Sequence, residues 1–141
     1  MAAQDTAPTG LFFKPDGTKM YVVGVIGDAV YEYDLSSAWN ISTASYLQNF
    51  SVVSQDTSPT GLFFKDDGTK MYIVGSTGDA VYEYDLSSAW DISSASYLQN
   101  FSVAAQQTFP QELFFKDDGT QMFIVGTTPQ RVFSYTLGPQ P

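Results

Sequence analysis

A chain of 141 residues with 43% hydrophobic and 16% aromatic side chains is too apolar for disorder and long enough for one ordinary domain. Its net charge of -9, with Arg131 as the only Arg, excludes a basic stripe for neutralising phosphates, so neither nucleic acid nor an anionic membrane surface is an expected partner. With no Cys and no His, the chain excludes disulfide staples, thiolate and imidazole metal sites, a cysteine nucleophile and Ser-His-Asp chemistry.

Self-similarity organises the rest. Residues 4–54 align with 55–105 without a gap and with nine differences in 51 positions, and a third copy runs over 106–137. The whole of 1–141 therefore reads as one repeat domain. The opening Met1-Ala2-Ala3-Gln4-Asp5 lacks the charged and apolar stretches of a secretory signal, and the location of the protein stays open.

Within the middle copy, taken in chain order, Gly61-Leu62-Phe63-Phe64-Lys65 is an apolar strand a that ends at Asp66-Asp67-Gly68-Thr69, a hairpin signal. Lys70-Met71-Tyr72-Ile73-Val74-Gly75 is strand b, Ser76-Thr77-Gly78-Asp79 a second turn, and Ala80-Val81-Tyr82-Glu83-Tyr84-Asp85 strand c. Residues 87–94 are too polar and short for a core helix and suit one capped helical turn or a loop. Strand d follows over 96–103. Because a and b are apolar on consecutive positions, both faces of the sheet are expected to be covered by like sheets.

Four strands in a period of this length match a propeller blade better than a solenoid repeat. The run Pro59-Thr60-Gly61-Leu62-Phe63-Phe64-Lys65-Asp66-Asp67-Gly68-Thr69-Lys70-Met71-Tyr72-Ile73-Val74 resembles the blade core of the YVTN, NHL and TolB-type propellers, and Lys14-Pro15-Asp16-Gly17-Thr18-Lys19-Met20-Tyr21-Val22-Val23 matches it more closely. The resemblance covers strands a to c of each copy and implies a fold rather than an activity. The expected fold is all-β, a partial β-propeller of about three four-stranded antiparallel blades, the last lacking its fourth strand.

Closed propellers have four to eight blades, so three blades are expected to close by homo-oligomerisation. A dimeric six-blade ring is preferred, a trimeric nine-blade ring is the first alternative, and a longer parent protein cut short is the second. Leu11, Phe12 and Phe13 in the first copy and Phe114, Phe115 and Phe133 in the last are the expected oligomer contacts. The third copy ends with Gly138-Pro139-Gln140-Pro141 where strand d would follow, and its strand c is expected to be an edge.

The recurring Asp66-Asp67 and Asp117-Asp118 pairs are weighed as two-carboxylate glycosidase chemistry, but Asp before Gly in a hairpin is far more often a turn former. Asp16, Asp67, Asp118, Asp28 and Asp79 offer oxygen ligands without the dense spacing of a calcium loop, so no metal or cofactor is expected. Trp39 and Trp90, in the connection outside the blade core, are the candidate stacking platforms for a carbohydrate or peptide; the favoured reading plugs each against strand d or a neighbouring blade. Asn40, Asn49 and Asn100 begin Asn-x-Ser sequons that come with the repeat. The expected function is a non-enzymatic binding or assembly module that partners itself. The alternatives are an engineered or recently amplified scaffold without ligand, or a glycan-processing hydrolase or lyase using the turn carboxylates.

Overall fold

The computed structural model describes residues 2–138. The first unit forms β1 (Pro8–Phe13), β2 (Lys19–Gly24), β3 (Ala29–Leu35) and β4 (Ala44–Ser51), and the second β5 (Pro59–Phe64), β6 (Lys70–Gly75), β7 (Ala80–Leu86) and β8 (Ala95–Ser102). Each set is an antiparallel sheet paired in chain order. The third unit forms β9 (Pro110–Phe115), β10 (Gln121–Thr127) and β11 (Gln130–Thr136), a three-stranded sheet among the described residues. The innermost strands β1, β5 and β9 contact one another in succession, so the sheets are three blades of a partial β-propeller. Residues 139–141, part of the tail that stands where a fourth strand of the last unit would follow, lie outside the described residues.

The hairpins follow from local chemistry. Asp16 Oδ1 accepts from the Thr18 amide at 2.9 Å and from its hydroxyl at 2.6 Å, while Gly17 takes a φ of 75° that side chains with a Cβ avoid. Asp67 with Thr69 and Asp118 with Thr120 repeat the device. The threonine donors, and at Asp118 first the Lys116 ammonium, hold all three carboxyls at about 2. The connection between strands c and d is one 3₁₀ turn per blade, Ile41–Thr43 capped by Asn40 and Ile92–Ser94 capped by Asp91.

A second, buried device is absent from the sequence reading. Asp56 Oδ1 accepts from the amides of Ser58 at 2.7 Å and Thr77 at 3.3 Å, and Oδ2 accepts from the Gly78 amide at 2.9 Å and the Tyr82 hydroxyl at 3.2 Å. It thereby clamps the turn between strands b and c to the chain entering strand a. Asp5 does the same in the first blade through Ala7, Gly27 and Tyr31. Burial alone would raise the Asp5 carboxyl, but the amide donors outweigh it and the net shift is downward. In the third blade Gln107 takes the place, accepting from the Phe109 and Thr128 amides and donating to the Pro129 carbonyl.

Among the described residues two core clusters lie between the sheets, and a third, of Met20, Val22, Ala29, Tyr31, Tyr33 and Leu35, lies within the first blade. Tyr21, Val23 and Val30 of the first blade pack in one buried cluster with Leu62, Phe64, Met71, Trp90 and Ile92 of the second. Val74, Val81 and Val103 of the second blade join Leu113, Phe115, Met122 and Ile124 of the third. Each large apolar side chain so buried contributes roughly 1.5–3 kcal/mol, so the seams between blades, more than any one sheet, decide stability. Close approach at the axis needs glycine: a Cβ on Gly10 would stand 2.9 Å from the Gly61 Cα, and one on Gly61 would stand 2.9 Å from the Glu112 Cα.

Candidate functional site

Every blade has a front face toward the next unit and a rear face toward the previous one. At the first seam the front face presents Phe12, Tyr21, Glu32 and Gln48. The rear face of the second blade answers with Phe64 and the 3₁₀ turn carrying Trp90. The Trp90 indole stands over Gly68 of its own hairpin and against Phe12, Tyr21 and Phe64, with ring centroids 6.4, 6.3 and 5.6 Å away. Its carbonyl accepts from the Tyr21 hydroxyl at 2.7 Å. Glu32, itself buried and paired with Lys19 at 2.6 Å, accepts from the Ile92 amide, and Gln48 donates to both Glu32 and Asp91.

Trp90 is thus 8% exposed, its ring enclosed in the seam between the two blades. Trp39 has the same backbone, with φ of 63° against 64°, and sits over Gly17 in the same way, yet is 59% exposed. The difference is the missing neighbour: no blade precedes the first in the described residues. Leu11 and Ile41 are exposed on that same rear face, whereas Leu62 and Ile92 are buried. Phe13, half-buried, packs beneath Trp39 at 5.3 Å.

The front face of the third blade is open in the complementary way. Phe114, Val125 and Val132 are exposed there, and with Phe123, Leu113 and Glu112 they line a shallow groove of about 230 Å³. Val74, the counterpart of Val125, is fully buried. The other expected oligomer contacts belong to internal seams. Phe12 meets Phe63 at 5.2 Å and Trp90, Phe115 lies buried against Tyr72 at 4.2 Å, and Phe133 is on the side of β11 shared with Tyr135, which meets Phe101. The correction has one cause: side chains alternate along a strand, so adjacent aromatics serve opposite seams.

The second seam is incomplete. Phe63, Tyr72, Glu83 and Gln99 repeat the front face of the first blade, and Gln99 and Lys70 bond Glu83 as Gln48 and Lys19 bond Glu32. Where the Trp90 turn fills the first seam, the second has a cleft of about 290 Å³ lined by Phe63, Lys70, Tyr72, Glu83, Gln99 and Phe115 among others. Burial and then the Glu83 charge push the Tyr72 hydroxyl up to about 12, so it remains a donor at neutral pH.

Glu112 occupies the axial column that Gly10 and Gly61 leave bare. Its carboxyl turns back over Gly61 and accepts from the amides of Leu113 and Leu62; burial raises it to about 7 against those two bonds. Between its ordinary value and 7 the folded chain holds more protons than the unfolded chain, so stability falls as pH rises through that window. Glu112→Gln is therefore expected to gain about 1–2 kcal/mol at pH 8 and almost nothing at pH 4. Urea unfolding at the two pH values checks this, and an equal gain at both would refute the assignment.

Among the described residues no group of three or more acidic side chains converges as a metal site, and no helix is long and apolar enough to cross a membrane. No protein-family model and no curated protein matches the chain. Solved structures resemble it in fold. A 6-phosphogluconolactonase candidate of Bacteroides uniformis aligns at 12% identity and a TM-score of 0.69, over 94% of this chain and 38% of that one. The periplasmic gluconolactonase of Pseudomonas aeruginosa aligns at 17% and 0.66, over 94% and 36%. The Swd1 β-propeller domain of Myceliophteria thermophila aligns at 11% and 0.63, over 93% and 38%. The chain spans little more than one third of each, and at these identities the likeness extends to the propeller fold alone.

Proposed function

We propose that this chain is an assembly module whose copies associate head to tail, rear face of the first blade on front face of the third, to close a propeller ring, and that it acts by binding rather than by catalysis. The observation that carries this reading is that particular side chains of the repeat are buried inside the chain and bare at its ends. They are Leu11, Trp39 and Ile41 at the rear of the first blade, beside a cluster of Met20, Val22, Tyr31, Tyr33 and Leu35 that stays buried, and Phe114, Val125 and Val132 at the front of the third. Val74 and Val125 are 0% and 41% exposed, and the two Trp residues differ more widely still. An apolar face of this kind on each end of a soluble chain calls for a partner, and the complementary face is the other end of a second copy. In such a ring Trp39 would lie on Phe114 and Phe123, the counterparts of Phe12 and Tyr21. Two copies make six blades, inside the usual range, and three make nine, outside it.

Repeated units give such a ring several equivalent shallow surfaces for a carbohydrate or peptide, with avidity from multiplicity. A ring without any ligand, as an engineered or recently amplified scaffold would be, is compatible with the same faces. The negative charge supports neither nucleic acid nor an anionic membrane as a partner. Sedimentation should give a mass near twice 15.5 kDa for the native chain and a monomer for Val125→Asp, which puts a charge in the seam. A native chain that stays monomeric at high concentration would overturn the proposal.

The names of two structural neighbours favour a second reading, hydrolysis of a sugar lactone. The turn carboxylates weigh against it, because groups held at about 2 are poor general acids near neutrality. Sustained turnover of a gluconolactone by the native chain, abolished by Asp67→Asn, would reverse the preference.

A further inference from the structure

The cleft between the second and third blades has a template within the same molecule. At the first seam its counterpart is filled by Trp90, Asp91 and Ile92, and each contact they make is matched by a group in the cleft. The Trp90 ring rests on Phe12, Tyr21 and Phe64, whose counterparts Phe63, Tyr72 and Phe115 all line the cleft. The Trp90 carbonyl takes the Tyr21 hydroxyl, as a visiting carbonyl would take that of Tyr72. Asp91 takes the Gln48 amide and the Ile92 amide meets Glu32, as visiting groups would meet Gln99 and Glu83.

Directly after that turn in the second blade, β8 pairs with β7, whereas β11 pairs only with β10 among the described residues. A receptor for a ring and an open strand edge therefore lie in the order in which one segment would meet them. The cleft is about 290 Å³, and an apolar cavity of about 150 Å³ suffices for benzene, so a two-ring indole is of suitable size.

We propose that this cleft and the β11 edge form one acceptor site for a linear polypeptide segment, supplied by a partner chain, that carries Trp followed by Asp or Asn and an aliphatic residue in a 3₁₀ turn and then a β-strand. The indole enters the cleft, the turn bonds Tyr72, Gln99 and Glu83, and the strand extends the third sheet by β-augmentation. The site is distinct from the two open end faces, and ring closure leaves it available.

A synthetic peptide with the sequence of residues 87–104, labelled with fluorescein, tests this against the full chain by anisotropy. Saturable one-to-one binding with slowed amide exchange along β11 is the expected result. Trp90→Ala in the peptide should weaken binding more than tenfold, and Tyr72→Phe in the protein, which keeps the ring and loses the donor, roughly three- to tenfold. Val125→Asp in the protein, which disrupts the open front face, should leave peptide affinity unchanged, so that failure of ring closure and failure of this site are told apart. Absence of saturation with folded native chain, or equal affinity for the Trp90→Ala peptide, would overturn the proposal.

Discussion

Replacement of Asp56 by Ala is expected to cost about 3–5 kcal/mol of folding stability, a large share of what a domain of this size has. The carboxylate is 2% exposed and accepts four hydrogen bonds, from three amides and the Tyr82 hydroxyl. Alanine would leave those donors without their acceptor, at about 1–3 kcal/mol for each that water cannot reach. Asp56→Asn should fall well short of that loss, because one oxygen remains to accept. The third blade already uses a neutral amide, Gln107, and there Phe133 stands in place of Tyr82, so the hydroxyl that needed the second carboxylate oxygen is gone. Urea unfolding measures both variants, and a loss below about 1 kcal/mol for Asp56→Ala would show that the clamp is not structural.

The second large effect is a contrast between two residues in nearly identical local sequence. Trp90→Ala should destabilise the chain by about 3–5 kcal/mol at every protein concentration, since it empties a seam inside the chain. Trp39→Ala should cost under about 1 kcal/mol in the dissociated chain, where the indole is mostly in water. In the proposed ring it should weaken association by about thirtyfold or more, as loss of a central aromatic anchor does. Thermal unfolding below and above the association range separates the two, because only an assembly defect depends on concentration. Equal losses for both variants at low concentration would contradict the picture of Trp39 as a bare copy of Trp90.

Much of the blade was legible because its causes are local. Asp16, Asp67 and Asp118 each shape their own hairpin within two residues, and Asn40 and Asp91 cap their own 3₁₀ turns. Asp5 and Asp56 escaped notice for the opposite reason. Their recurrence at the repeat spacing was visible, and each serves an amide two residues on, but the other amides they serve lie about twenty residues onward, in a turn that only the folded sheet brings near. Glu112 stands in the sequence where the other copies have Gly10 and Gly61, but its raised carboxyl depends on contact with Gly61 across the axis.

What the amino-acid order determined by itself was the unit: its period, its antiparallel hairpins, its apolar content and the chemistries it excludes. What only the tertiary structure decided was the side of each seam on which a residue stands. Phe12 and Phe114 are counterparts in the repeat, as are Trp39 and Trp90, and nothing local distinguishes their burial. Burial is a property of what stands opposite. For these residues it is set by whether another blade follows or precedes, and they cannot carry that information in their near neighbours.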